Sequence, residues 1–207
     1  MFDPKMPEVW LSYGDRSYIV TRLLGVVAHC MFDAPVSTHR TIELYLKTYL
    51  VSCGEDVKKG EPAWGHNLED LRNLCVQKDN AFANADLARR VSYFQRYFDI
   101  VRYPTAEYKG KASSEVSLWF GFDSAILPLD EIVAFVRPRI RLSKHEWEHS
   151  ILNAVLIETR DHFSEQRKAL KAHNSLLRTI LCRETSDPQV SFSKFNFDLE
   201  TCEWAHE

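Results

Sequence analysis

The chain has 207 residues, 45% of them hydrophobic and 27% charged, with only 7 glycines, and so reads as one globular domain, or one with an appendage, able to bury a substantial core. Its net charge of −3 excludes a globally basic nucleic-acid coat but leaves room for a local phosphate-binding patch. Five cysteines, at 30, 53, 75, 182 and 202, lack C-x-x-C spacing, and the odd count without a secretory signal predicts reduced thiols in a cytoplasmic protein.

Residues 1–15, with Pro4, Pro7 and Gly14, read as an extended lead-in. Ile19, Leu23, Val26, Val27 and Cys30 then mark a first helix, and the apolar run 18–31 is too short, and too interrupted by Arg22 and His29, to cross a bilayer. No membrane association is expected. A second helix over 36–52 places Ile42, Tyr45, Leu46, Tyr49 and Leu50 on one apolar stripe, with Glu43, Lys47 and Thr48 outside it. The short link around Pro35 predicts antiparallel packing of the two. A polar loop over 57–64 follows.

Asn67 is suited to cap a third helix, with Glu69 and Asp70 in its first turn and Leu68, Leu71, Leu74 and Cys75 inward. Leu87, Val91, Phe94, Phe98 and Val101 give a fourth, closed by Arg102-Tyr103-Pro104. Residues 105–127 show no period and read as a long loop. Pro128 then opens a short helix with Leu129, Ile132, Val133 and Val136 inward.

Neither glycine nor proline occurs between Pro138 and Pro188, and apolar residues from Trp147 to Leu181 keep helical spacing, so 138–187 reads as a long helix or a pair broken at His173-Asn174. Unbroken from 144 to 182, it would run about 58 Å at 1.5 Å per residue, more than a small bundle covers, which implies a protein partner or a second copy. The tail 188–207 alternates apolar and polar residues around Phe192, Phe195 and Phe197, as a short strand or docking segment would. The expected fold is all-α: an antiparallel four- to five-helix bundle over 16–137, a long C-terminal helical extension, and an aromatic tail, assembled as a homodimer.

Glu43-x-x-Leu46-Lys47-x-x-Leu50, a glycine-containing loop, Gly65-His66-Asn67-Leu68-x-x-Leu71 and Arg102-Tyr103-Pro104 occur in an order that resembles the HEPN family of small helical domains. The resemblance implies a nucleotide- or RNA-associated module, in some relatives a toxin or defence component and in others an RNA-cutting enzyme. It also directs attention to Lys47, His66 and Arg102 as residues able to line one polar groove, with His66 close to a helix N-terminus that favours anions.

Three overlapping readings concern the segment 137–149. Arg137, Arg139, Arg141 and Lys144 put four cations within eight residues, a basic turn between helices suited to clamping phosphate. Arg139 stands six residues before His145, and RNA-cutting HEPN proteins carry an arginine four to six residues before a histidine. In that reading His145 moves the ribose 2′-hydroxyl proton and Arg139 neutralises the phosphate without metal, although Ile140 stands where those nucleases have a polar residue. His145-Glu146-Trp147-Glu148-His149 also resembles the zinc-protease signature, departing from it at Glu148. No Walker loop, dinucleotide fingerprint or cysteine zinc spacing is present, and no cofactor is expected.

Overall fold

The computed structural model describes residues 6–27, 34–102, 107–108, 111–112, 122–158, 161–183, 190–193, 197–198 and 203–204. Helix dominates the described residues. Helix α1 (Pro7–Arg22) begins nine residues before the expected start, because Pro7 occupies its first turn, where a missing N–H costs nothing. The extended lead-in is thereby corrected to helix from Pro7 onward. Gly14 does not break α1; a Cβ there would lie 3.4 Å from the Tyr45 ring, so the glycine lets α2 (Ala34–Ser52) approach closely.

Contacts between α1 and α2 run in opposite directions along the chain: Asp15 meets Tyr45, Ser17 meets Thr41 and Thr21 meets Ser37. The two helices are therefore antiparallel. At the C-terminus of α2, Gly54 takes φ +89°, and bonds from Glu55 N to Leu50 O and from Gly54 N to Val51 O satisfy the last carbonyls.

Asn67 caps α3 (Leu68–Lys78), its side-chain oxygen accepting from Glu69 N and Asp70 N at 2.9 and 3.0 Å. Asp79 and then Asn84 provide the corresponding side-chain acceptors for a short 3₁₀ turn and for α4 (Ala85–Arg102). Ordered side-chain capping thus sets both boundaries without glycine or proline.

Between α4 and the next helix, β1 (Glu107–Tyr108) pairs antiparallel with β2 (Lys111–Ala112). Phe122–Ile126, inside the expected loop, is helical and continues as α5 (Leu127–Val136) with Pro128 in its first turn. Every residue of α5 from Pro128 to Val136 is buried, including Asp130 and Glu131. This helix, hidden on all sides, belongs to one core cluster with Leu46, Leu50, Phe82, Phe94, Leu152 and Ile180.

The long C-terminal helix is not formed. In its place stand α6 (Lys144–Glu148), α7 (Ile151–Ile157), α8 (Ser164–Lys171) and α9 (Leu177–Leu181). Breaks fall at Ser150, at Glu158 and at His173, whose φ is +52°. With the helix folded back on the bundle, its length gives no argument for a partner. Val190 and Phe192 pack against the core, and β3 (Phe197–Asp198) pairs antiparallel with β4 (Glu203–Trp204). No helix among the described residues is long and apolar enough to cross a membrane.

Candidate functional site

The four cations expected on one basic turn are divided by the fold. Arg137 is 0% exposed and Arg139 8%, whereas Arg141 and Lys144 face solvent. Arg137 donates from Nε to Asp15 at 3.0 Å, from Nη2 to Ser150 Oγ at 2.9 Å and from Nη1 to Ile180 O at 2.7 Å, and its guanidinium lies 4.2 Å from the Trp147 ring centroid. Burial opposes its charge, but Asp15 and Tyr45 outweigh that and raise its pKa. Arg137 is therefore a permanent internal cation, unable to reach a phosphate.

Arg139 is equally committed. Its Nη1 donates to Phe135 O at 2.7 Å, its guanidinium stacks 3.8 Å from the Phe135 ring centroid, and Asp79 lies 3.6 Å from Nε. His145 is exposed on α6 with its ring stacked on His149, centroids 4.1 Å apart. One member of the expected nuclease pair thus points into the protein and the other into solvent. The zinc-protease spacing does put both histidines on one helix face, but no group of three or more His, Cys, Asp or Glu able to hold a metal occurs among the described residues.

Two of the three groove residues do meet. Lys47 is buried although its spacing lies outside the α2 stripe, and its Nζ donates to Glu43 Oε1 at 2.7 Å and to Trp64 O at 3.2 Å. The same Glu43 oxygen receives His66 Nδ1 at 3.0 Å. A carboxylate only accepts, so Nδ1 carries the proton and Nε2 is left as the open nitrogen. The His66 side chain is 67% exposed, and Trp64 two residues earlier is 47% exposed. Arg102 is the last residue of α4, and its side chain lies outside the described ones.

Behind this corner, Gln95 joins three elements. Its Oε1 accepts from Leu68 N at 2.8 Å at the start of α3 and from His39 Nε2 at 3.3 Å, while its Nε2 donates to both oxygens of Asp99 at 3.1 Å. The His39 ring stacks on Phe98 with centroids 3.8 Å apart. Burial holds His39 below the usual histidine range against the opposing bond to Gln95, so a neutral ring fills this site. His39, Glu43 and Lys47 follow at four-residue steps on α2, a spacing that itself signalled one shared face.

Three buried arginine–carboxylate pairs had no local signal at all. Arg22 pairs with Asp130 and donates to the carbonyls of Ala169 and Ala172, while Tyr18 donates to the other Asp130 oxygen at 2.6 Å. Arg90 pairs with Glu131 at 2.6 Å, donates to Ser193 O and stacks over Phe192. Together with Asp15–Arg137 they tie α1, α4, the C-terminal helices and the tail to the segment 130–137. Comparison with protein-family models, with curated proteins and with solved structures gives no match to this chain.

Proposed function

We propose that this chain is a HEPN-like, nucleotide- or RNA-associated module that receives its ligand at the corner between α2 and the turn leading into α3. The carrying observation is the Trp64–Glu43–His66 arrangement: an exposed indole and an exposed imidazole, two residues apart, fastened to α2 by Lys47 and Glu43. Each part has a chemical use. An open aromatic face stacks on a base irrespective of sequence, and His66 Nε2 is placed to meet a base edge or a phosphate. Lys47 neutralises Glu43, so the carboxylate that orients His66 does not repel an anion there.

Fluorescence anisotropy of a labelled single-stranded RNA, competed by nucleotides, tests this reading. Trp64→Ala is expected to weaken binding roughly tenfold, since stacking on one base contributes about 1–3 kcal/mol, and His66→Ala to weaken it to a lesser extent. Both side chains are exposed, so the variants retain the fold. Wild-type affinity in both variants, or no binding by the wild-type chain, overturns the assignment.

A second reading, a non-catalytic interaction scaffold, has its own observation. Tyr13 and Val20, seven residues apart and hence on one face of α1, are exposed at 44% and 48%. Light scattering of the wild-type chain against Tyr13→Ser/Val20→Ser separates the two readings: a dimer that the double substitution dissociates favours the scaffold, and a wild-type monomer sinks self-association through α1.

A further inference from the structure

Helix α6 holds a constellation that neither the binding corner nor the buried pairs use. His145 in α6 and His149, the residue that caps its C-terminus, stand four residues apart with their rings on one side, both exposed, with 20° between their planes. His149 Nδ1 lies 2.8 Å from His145 O, and since a carbonyl only accepts, Nδ1 carries the proton and Nε2 keeps its lone pair. A ring N–H given to a backbone carbonyl is the outer contact that orients metal-ligating histidines and fixes their tautomer.

The platform beneath the pair is rigid. Ser143 and Glu146 close a capping box, with Ser143 N donating to Glu146 Oε2 at 2.7 Å and Glu146 N to Ser143 Oγ at 3.2 Å. Trp147 is buried between the histidines in sequence, its indole N–H donating to Leu181 O at 3.2 Å. The charged neighbours are occupied with one another: Lys144 Nζ lies 3.7 Å from Glu148 Oε1. Both imidazoles therefore project from an anchored turn, their ring centroids 4.1 Å apart.

We infer that His145 and His149 form a two-imidazole site for a divalent transition-metal ion of the imidazole-preferring class, Ni²⁺, Cu²⁺ or Zn²⁺, with water completing the coordination. Two ligands and open water positions make this an exchangeable surface site, distinct from the closed four-ligand kind that holds a fold together. It is independent of the proposed nucleotide or RNA corner and stands if that reading fails.

Titration of the untagged full chain with Ni²⁺ against a competing chelator tests the site, nickel being chosen because it favours imidazole over the chain's thiols. The wild-type chain is expected to bind one equivalent, and His145→Ala and His149→Ala each to weaken it by at least about tenfold, because the second imidazole then no longer closes an intramolecular chelate. Far-UV circular dichroism of both variants should match wild type, as neither ring is buried. Wild-type affinity in either single variant, retention of the equivalent in the double variant, or no wild-type binding below millimolar Ni²⁺ overturns the inference.

Discussion

The interior around α5 and the corner between α2 and α3 are built from the same charged and aromatic side chains, with opposite results. Around α5, Arg137, Arg22 and Arg90 direct their guanidinium donors to carboxylates and carbonyls of the chain itself. At the corner, Glu43 and Lys47 are anchored in the same way, but His66 and Trp64 are held from one side and open on the other. A charge acts as scaffold or as contact surface according to burial, and the type of residue alone does not say which. The HEPN-like reading depends on the corner, and the fold depends on the interior.

The largest effect of a single substitution is expected in the interior. Asp15→Ala would strand buried Arg137, and would also remove the acceptor of Tyr45 Oη and of Leu152 N. A loss of about 3–5 kcal/mol is expected in urea unfolding, the cost of leaving one member of a buried pair uncompensated. Replacing both partners, Asp15→Leu with Arg137→Met, should recover a good part of it, because two desolvated charges disappear together. A single substitution within about 1 kcal/mol of wild type would refute the scaffold role.

Effects at the corner should be smaller. Asn67→Ala removes the acceptor for two amides of α3 and is expected to cost about 1 kcal/mol by the same unfolding measurement. His39 adds a pH dependence behind the corner. Its folded pKa is depressed by burial, so the unfolded chain binds the proton first, and the stability due to the neutral ring is full above the unfolded value near pH 6.5 and is lost as the pH falls toward the folded value. Unfolding midpoints measured at pH 7.5 and 5.5 should converge in His39→Gln; an unchanged slope would show that other groups carry it. Least affected is the surface pair on α6, where Lys144→Ala should change stability by less than about 0.5 kcal/mol.

Much of the chain up to α5 was legible because its signals are local. The α2 stripe, the Asn67 cap and the proline opening α5 each depend on residues within about a turn of one another, and the structure has them where the spacing puts them. Legibility failed where a local signal had two meanings. Pro7 and Gly14 read as breakers, yet one begins a helix and the other lies inside it against Tyr45. The C-terminal segment failed in the reverse sense. The break at His173 falls where one was expected, but uninterrupted helical spacing gave no hint of those at Ser150 and Glu158, because these turns let four short helices follow the curvature of a core built elsewhere.

The candidate site divides along the same line. Amino-acid order alone determined that Glu43 and Lys47 share a helix face and that His66 stands just before a helix N-terminus, since four-residue spacing and capping are properties of neighbouring residues. Tertiary structure alone decided that His66 reaches Glu43 from 23 residues away, and that Arg137, read as part of a surface turn, is buried on Asp15 from 122 residues away. The physical reason is one of range. Backbone geometry correlates residues within a turn or two, whereas the partner that makes a buried charge tolerable is chosen by how whole helices pack, and that choice leaves no trace in the residues adjacent to it.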